Sequence, residues 1–303
     1  LVTACEPRVG YARLAANLCY EDCETALDGG ESPASPYLGQ LRQALELARA
    51  HQERRIEKGA VIIERPDIVI SLEGDGENVT VSLDEDPPAP KAHLLVSELM
   101  VLANAALAAW AKEHGVALLH RTQDVAIPKE FSGIWQTPLE IARVVKALAP
   151  AVLETNPRPH AGLGEAMYAP STSPLRRYPD MINETQIISQ LRDGKPRWSK
   201  EELDALLPLL NAHLDAAGQV QRFRPRYWKL LYFKQQGDRW WPAVITDEND
   251  AFVTVNMPKE QMIVRARRQF FGERAHPGQE LEIRLGKVHP LQNDFQLLET
   301  REI

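Results

Sequence analysis

The fold is most constrained by a change in the hydrophobic pattern near residue 234. Before it, apolar residues recur at helical spacing over long segments, whereas beyond it short β-branched and aromatic runs are separated only by turns. Five such runs fit a small closed β-barrel, and they lie at residues 240–245, 251–255, 262–265, 279–285 and 295–299. The 303 residues therefore predict two domains, a mixed domain over residues 1–233 and a barrel over residues 234–303.

The mixed domain combines helices with short strands, so the predicted class is α+β. Apolar periodicity predicts helices at residues 20–27, 37–58, 93–111, 139–148, 180–191 and 200–216, and another that Pro225 starts or kinks and that runs to about residue 233. β-Branched runs predict strands at residues 61–63, 68–70 and 79–81, and we also expect strands at residues 11–19 and 116–119. The stretch from residue 158 to 179 is rich in Pro, Gly, Ser and Thr and predicts a long loop.

The predicted helix at residues 93–111 is apolar on nearly every side, which indicates a buried helix. Glu98 and Asn104 are two of its polar exceptions. A buried carboxylate or amide is costly unless it is hydrogen-bonded, so we expect both side chains to bind specific partners. Those partners belong either to a functional site or to a structural network with neighbouring backbone.

Composition narrows the possible environments and partners. The chain has no run of 18 apolar residues and no basic segment followed by an apolar one at its start, so we expect neither a membrane span nor a secretory signal. Its three cysteines suit neither a disulfide framework nor a zinc site, which favours the cytoplasm. The net charge is −7, yet residues 219–303 carry 14 Lys+Arg against 11 Asp+Glu, which permits an anionic partner.

The long loop is the densest candidate site. Gly162 and Gly164 allow a ligand to approach the backbone closely, and Thr172 and Ser173 offer hydroxyl groups. Two adjacent arginines, Arg176 and Arg177, offer planar charged donors that suit phosphate oxygens, and Tyr178 and Asp180 follow them. The loop therefore predicts phosphate binding, with a surface loop capped by a helix near Pro179 as the alternative.

Two further basic features accompany this loop. One helix face carries His51, Arg54, Arg55 and Lys58, which either contact a phosphate backbone or act as favourable cations at a helix C-terminus. His120 and Arg121 follow a predicted strand, where sites often form. In the barrel, three arginines (Arg265, Arg267 and Arg268) lie between aromatic residues that either stack on single-stranded bases or fill the core. These aromatic residues are Trp240, Trp241, Phe252, Phe270 and Phe271.

The loop also carries a family resemblance. The motif P-H-x-G-L-G at residues 159–164, followed by T-S-P-L-R-R-Y-x-D at residues 172–180, resembles the ribonuclease II / ribonuclease R family. Residues 20–22, 41–66 and 96–104 and the terminal barrel resemble that family too. The resemblance implies a processive 3′→5′ exoribonuclease acting on single-stranded RNA, with an RNB catalytic domain and a C-terminal OB-fold barrel. We expect a cytoplasmic monomer.

Roles for individual residues follow from the resemblance alone. Arg176 matches the catalytic arginine, which contacts the scissile phosphate. The positions matching RNA-binding residues or the lining of the channel are Tyr20, Arg54, Arg55, His160, Gly162, Gly164, Tyr168, Thr172, Ser173, Arg177 and Tyr178. Supporting positions near the substrate path are Glu64, Glu98, Asn104, Arg121 and Asp180.

The sequence departs from the family pattern at several positions. Ile62 replaces an aromatic residue that clamps the terminal base, Gln221 replaces a glutamate, and Ser97 stands in an otherwise acidic pair. The motif that supplies the metal-binding aspartates has no counterpart, and the acidic clusters present lie in predicted turns or Pro-rich loops. We therefore expect the Mg²⁺ ligands upstream of Leu1, in a missing N-terminal portion, and expect residues 1–303 alone to be inactive.

Two other functions are weighed against the exoribonuclease. The first is a non-catalytic RNA-binding protein that has lost the aspartates, which the sequence upstream of Leu1 would test. The second is a structural or assembly role in which the barrel is a generic nucleic-acid module. In that case Arg176→Ala would change neither activity nor RNA affinity.

Overall fold

The computed structural model describes residues 4–272 and 275–303, without the side chain of Glu77. Two compact units share these residues. The first unit consists of Leu1–Ile62, Pro87–Ile134 and Leu148–Ala212, and the second consists of Ile63–Asp86, Trp135–Ala147 and His213–Ile303. Because both units are built from separate stretches of chain, the expected domain boundary at residue 234 stays a prediction.

The elements alternate along the chain as an α+β fold. The α-helices are α1 (Tyr20–Leu27), α2 (Leu38–Glu57), α3 (Pro90–Glu113), α4 (Pro138–Val145), α5 (Tyr178–Asp193) and α6 (Lys200–Gln236). The strands are β1 (Val61–Ile63), β2 (Ile68–Glu73), β3 (Thr80–Glu85), β4 (His120–Thr122), β5 (Gly133–Trp135), β6 (Val152–Glu154), β7 (Trp240–Glu248), β8 (Phe252–Met257), β9 (Met262–Arg267), β10 (Glu280–His289) and β11 (Asp294–Glu302).

Helix α3 packs against α1 and α2 and contributes to a core cluster of the first unit. Ala108 and Trp110 pack with Leu118, with Ala169 of the long loop and with Ile187 of α5. An 18-residue window of α3 has a mean hydropathy of 1.7, so by length and composition alone the helix could cross a membrane. Its buried Glu98 and Asn104 form hydrogen bonds with other parts of the first unit, which is typical of a core helix.

The second unit contains the five-stranded sheet that the sequence predicts. The strand order is β11-β10-β7-β8-β9 and all neighbours are antiparallel, which fits an OB-fold. Alternate residues point inward, so Trp241, Ile245 and Ile283 are fully buried in one core with Leu230 and Phe233 of α6. The hairpin predicted through Gly74 also forms, with β2 paired to β3.

Three predicted elements are wrong. Residues 11–19 form no strand, since Tyr11 and Leu14 are exposed and have no ladder partner among the described residues. Residues 116–119 are buried but extended outside any ladder, because the Asn183 side chain satisfies both backbone groups of Leu119. The two helices expected around Pro225 form one continuous helix, α6, which accommodates the proline.

Candidate nucleic-acid interface

The candidate site is built on a tight turn that leads into α5. The Ser173 carbonyl accepts hydrogen bonds from the backbone N–H groups of Arg176 (3.2 Å) and Arg177 (2.9 Å), which closes the turn. The Ser173 N–H donates to Oδ1 of Asp180 at 3.0 Å. Leu175 and Arg176 at the tip are exposed, so the turn presents the Arg176 guanidinium to solvent.

Arg177 is held against the protein. Its Nε and Nη2 donate to Oδ1 of Asp180 at 3.1 and 2.6 Å, and Nη2 also donates to the Thr172 hydroxyl at 3.3 Å. The Asp180 carboxylate is only 1% exposed. A buried carboxylate requires a cationic or hydrogen-bonding partner, and Arg177 supplies both.

Asn104 of α3 organises the segment before this turn. The side chain is fully buried, and its Nδ2 donates to the Tyr168 hydroxyl (2.9 Å) and the Thr172 hydroxyl (3.3 Å). Its Oδ1 accepts from the Ser171 N–H at 2.8 Å. The expected specific hydrogen bonds are confirmed, and they reach side chains of the candidate site as well as backbone.

Both loop glycines lie close to neighbouring atoms, and at Gly164 the backbone itself requires a glycine. The Gly162 N–H donates to Oε1 of Gln123 at 2.7 Å, and a Cβ on Gly162 would stand 2.6 Å from that oxygen. Gly164 has φ +66° and ends a single 3-10 turn, Ala161–Leu163. A Cβ there would stand 2.5 Å from the Arg55 carbonyl oxygen, so this loop lies directly against the end of α2.

An ionic cluster fixes the loop that contains Gly162 and Gly164, here called the glycine loop, to α2 and α3. Arg55 is 4% exposed, and its guanidinium donates to Glu98 and, through Nε, to the Leu163 carbonyl at 2.7 Å. His51 contacts Glu98 (Nδ1–Oε2, 2.7 Å) and Glu165 (Nε2–Oε1, 3.4 Å). Of the basic helix face, Arg55 is therefore interior, whereas Arg54 and Lys58 are exposed.

Electrostatics in this cluster follow from these contacts. Glu165, and then Glu98, raise the pKa of His51 by hydrogen bonding to it. Burial acts to raise the pKa of Glu98, but the hydrogen bonds from His51 and Arg55 outweigh it and leave that pKa below its ordinary value. The pairing therefore favours a charged carboxylate beside a charged imidazolium.

The two buried histidines near the loop behave differently from His51. Burial lowers the pKa of His160 to about 4, with Arg121 contributing, and burial also lowers the pKa of His120 to about 4. The His160 ring packs edge-on against Tyr168, with centroids 5.9 Å apart. Because a pKa of about 4 leaves both rings neutral at pH 7, neither histidine brings a positive charge for a phosphate.

The other predicted site residues lie on separate elements of the fold. Tyr20 is partly exposed and stacks on His93 at 4.1 Å between ring centroids. Arg121 is exposed on β4, and its N–H donates to the Tyr168 carbonyl. Tyr178 is exposed at the first residue of α5. Glu64 lies in the second unit, where it accepts a hydrogen bond from Gln136 at 3.1 Å.

Sequence reasoning missed three supporting side chains. Gln123 holds the glycine loop, and Asn183 and Gln186 on α5 tie that helix to the backbone of Leu119, Ala117 and Trp198. All three are buried. A signal was available, because Asp180, Asn183 and Gln186 recur every three residues beside apolar Ile182 and Ile187, and so share a helix face turned toward the core.

A second group of exposed charges lies on the five-stranded sheet. Arg265 covers the Phe252 ring at 4.5 Å and Arg301 covers Trp240 at 4.4 Å. Phe252, Arg265, Arg267 and Phe270 line a shallow depression of about 510 Å³ together with Gln296 and Leu298. Trp241 and Phe271 are buried, so the aromatic residues divide between core and surface.

The donor sets present do not fit a metal ion. Across residues 4–272 and 275–303, no three or more His, Cys, Asp or Glu side chains converge in a way that could hold one. Mg²⁺ takes oxygen ligands, mainly carboxylates, and the one fully buried carboxylate in the turn, Asp180, is engaged with Arg177.

Comparison with known proteins identifies the family. The family model described as the RNB domain matches residues 2–193, so the chain belongs to the RNB domain family. An uncharacterized ribonuclease of Synechocystis is 26% identical over 291 residues, which cover 93% of this chain and 42% of that protein. The chain spans less than half the length of the curated relatives it matches.

Solved structures share the fold. The Dss1 exoribonuclease of Candida glabrata, as an active-site mutant, has a TM-score of 0.79 at 21% identity, covering 93% of this chain and 38% of that one. RNase R of Mycoplasma genitalium, in complex with ribose-methylated single-stranded RNA, has a TM-score of 0.73 at 16% identity. The match covers 92% of this chain and 52% of that one. Yeast Ssd1, a pseudonuclease, has a TM-score of 0.58 at 15% identity, covering 93% and 38%.

Proposed function

We propose that this chain belongs to a 3′→5′ exoribonuclease that degrades single-stranded RNA processively to 5′-nucleotides. The observation that carries the proposal is the exposed Arg176 on a turn fixed by Ser173 and Asp180. A guanidinium held by rigid backbone can contact the scissile phosphate and stabilise the charge that develops on its oxygens. The long motif around that turn, in a chain of the RNB domain family, makes this substrate the best match.

We propose that the metal comes with residues outside this chain. Mg²⁺ would supply an activated water and neutralise phosphate charge, and the carboxylates to hold it are expected upstream of residue 1. Residues 1–303 would then supply the arginine, the hydroxyl groups of Thr172 and Ser173, and the glycine loop that lines the RNA path. The chain alone is expected to leave RNA intact with or without Mg²⁺, and degradation by it would contradict this division of roles.

The sheet of the second unit is proposed to bind RNA independently of cleavage. Phe252 has one face covered by Arg265, and the depression beside them offers Phe270 and Arg267. Aromatic rings stack on any base and arginines contact phosphates, so this arrangement suits single-stranded RNA of any sequence. A monomer in the cytoplasm stays a prediction, and relatives include proteins named as mitochondrial and chloroplastic.

The proposal is tested with the full-length protein and single-stranded RNA labelled at its 5′ end. Stepwise removal of nucleotides from the 3′ end gives a ladder of labelled products that requires Mg²⁺. Arg176→Ala should abolish the ladder, whereas Arg192→Ala, which removes an exposed arginine from the other end of α5, should leave it unchanged. Internal cuts, or a ladder that Arg176→Ala leaves intact, would contradict the proposal.

A non-catalytic RNA-binding protein is the second candidate. The fold is compatible with it, because yeast Ssd1, a pseudonuclease, shares that fold. It predicts that full-length protein binds single-stranded RNA but releases no nucleotide, and that the sequence before residue 1 lacks clustered aspartates.

A further inference from the structure

We propose that the two adjacent arginines of the turn have different roles, and that Asp180 is the positioning residue that separates them. Arg176 is the phosphate ligand, and Arg177 is a half-buried strut that Asp180 holds in place so that Arg176 faces the RNA. This inference rests on the proposed function, because it assigns roles within the same site.

The contacts of Arg177 leave it little freedom to bind RNA. Two of its nitrogens donate to one carboxylate oxygen, Oδ1 of Asp180, and Nη2 also reaches the Thr172 hydroxyl. Thr172 in turn accepts from buried Asn104, so the strut connects α5 to α3. In contrast, the Arg176 side chain has one long contact, 3.4 Å from Nη2 to the Ser173 hydroxyl, and is exposed.

Asp180 links this strut to the backbone of the turn. The same Oδ1 accepts from the Ser173 N–H at 3.0 Å, and the Ser173 carbonyl accepts from the N–H groups of Arg176 and Arg177. One oxygen therefore fixes both the Arg177 side chain and the backbone that carries Arg176. Its partner Oδ2 is buried without a hydrogen bond in the described residues, so Oδ1 alone provides this anchoring.

This arrangement allows the charge of Asp180 to be removed with little change in shape. In Asp180→Asn the amide oxygen can keep the bond from the Ser173 N–H, while the NH₂ group takes the place of unbonded Oδ2. The charge that holds Arg177 is lost. Arg177→Lys is the complementary change, because a lysine is a point charge that can still bind phosphate but lacks the planar fork of donors.

Kinetics of the full-length protein test the roles. If Arg177 is a strut, Asp180→Asn and Arg177→Lys should each lower kcat about 10- to 100-fold, as misplacement of a catalytic group does. KM for single-stranded RNA should stay within about threefold of wild type, since no phosphate contact is lost. In an Arg177→Lys background, Asp180→Asn should have almost no further effect, because the two substitutions break the same contact. Equal losses in both backgrounds, or a raised KM with unchanged kcat, would overturn the proposal.

A chemical measurement separates this inference from the proposed function. Phenylglyoxal labelling of residues 1–303, read by mass spectrometry, should modify Arg176 faster than Arg177 in the wild type. Asp180→Asn should increase the labelling rate of Arg177 several-fold without changing that of Arg192. Equal rates at Arg176 and Arg177 in the wild type would overturn the strut even if the full-length protein degrades RNA. Protection of Arg177 in a protein without ribonuclease activity would leave the strut intact and refute the exoribonuclease instead.

Discussion

Replacing Gly164 with alanine tests how closely the glycine loop lies against α2. Gly164 has φ +66°, a conformation that costs an L-residue about 1–2 kcal/mol. The added Cβ would also stand 2.5 Å from the Arg55 carbonyl oxygen and 3.2 Å from the Ala60 nitrogen. These are backbone atoms at the end of α2, and the Arg55 carbonyl accepts bonds from Lys58 and Ala60, so no side-chain rotation relieves the clash.

The size of the effect follows from these two costs. Overpacking against a rigid backbone adds about 1–3 kcal/mol, so Gly164→Ala should lower the free energy of unfolding by about 2–5 kcal/mol. Urea denaturation followed by circular dichroism measures the change. Gly194→Ala is the matched control, because Gly194 has φ +69° at the end of α5 but nothing within 4 Å of an added Cβ. The free energy of unfolding of Gly194→Ala should fall by only about 1–2 kcal/mol.

The comparison of the two variants isolates the contact. Both substitutions place an L-residue at a positive φ in the same unit. The difference between their free energies of unfolding therefore reports the clash with Arg55 alone. Equal destabilisation would refute the close approach of the loop to α2, and with it the account of how Arg55 supports the site.

Three further predictions concern the hydrogen bonds of Asn104, the ion pairs of His51 and the binding of RNA by Phe252. Asn104→Ala should lower the free energy of unfolding by about 1–3 kcal/mol for each buried group that it leaves unsatisfied, among them the Ser171 N–H. Chemical denaturation measures this loss, and a loss near zero would contradict the hydrogen-bond network. The raised pKa of His51 means that its ion pairs stabilise fully below the ordinary value of 6.5, and that this stability is lost as pH rises through the raised pKa. The stability gap between wild type and His51→Gln should therefore shrink from pH 6 to pH 9, and a gap that grows would be inconsistent with the pairing. Phe252→Ala should weaken single-stranded RNA binding by about 1–3 kcal/mol in fluorescence anisotropy, while Leu291→Ala, at another exposed apolar side chain of the second unit, should not; equal effects would argue against stacking.

Much of the fold could be predicted because its elements are long and regular. Helix α2 forms over Leu38–Glu57 against an expected 37–58, and the five strands of the sheet lie where their alternating patterns place them. The segment at residues 116–119 shows the limit. An apolar run indicates burial, but whether it joins a ladder depends on Asn183, about 64 positions away, whose side chain takes both hydrogen bonds of Leu119.

The sequence motif selects the residues of the candidate site, but it does not predict their burial, their ion pairs or their charge. The motif picks out Arg176 and its neighbours, and the structure brings Thr172, Ser173, Arg177 and Asp180 together in one turn. That Arg55 is interior could not be read from its helix, because its partner Glu98 lies on α3. The neutrality of His160 likewise depends on its burial, which only the folded loop reveals.

In the proposed reaction, RNA is removed one nucleotide at a time from its 3′ end. The most direct measurement uses full-length protein, Mg²⁺ and single-stranded RNA labelled at the 3′-terminal nucleotide. We expect the first labelled product to be a mononucleotide, released before any labelled oligonucleotide, and Arg176→Ala to stop its release. A labelled oligonucleotide as the first product, or no release while RNA stays bound, would contradict it.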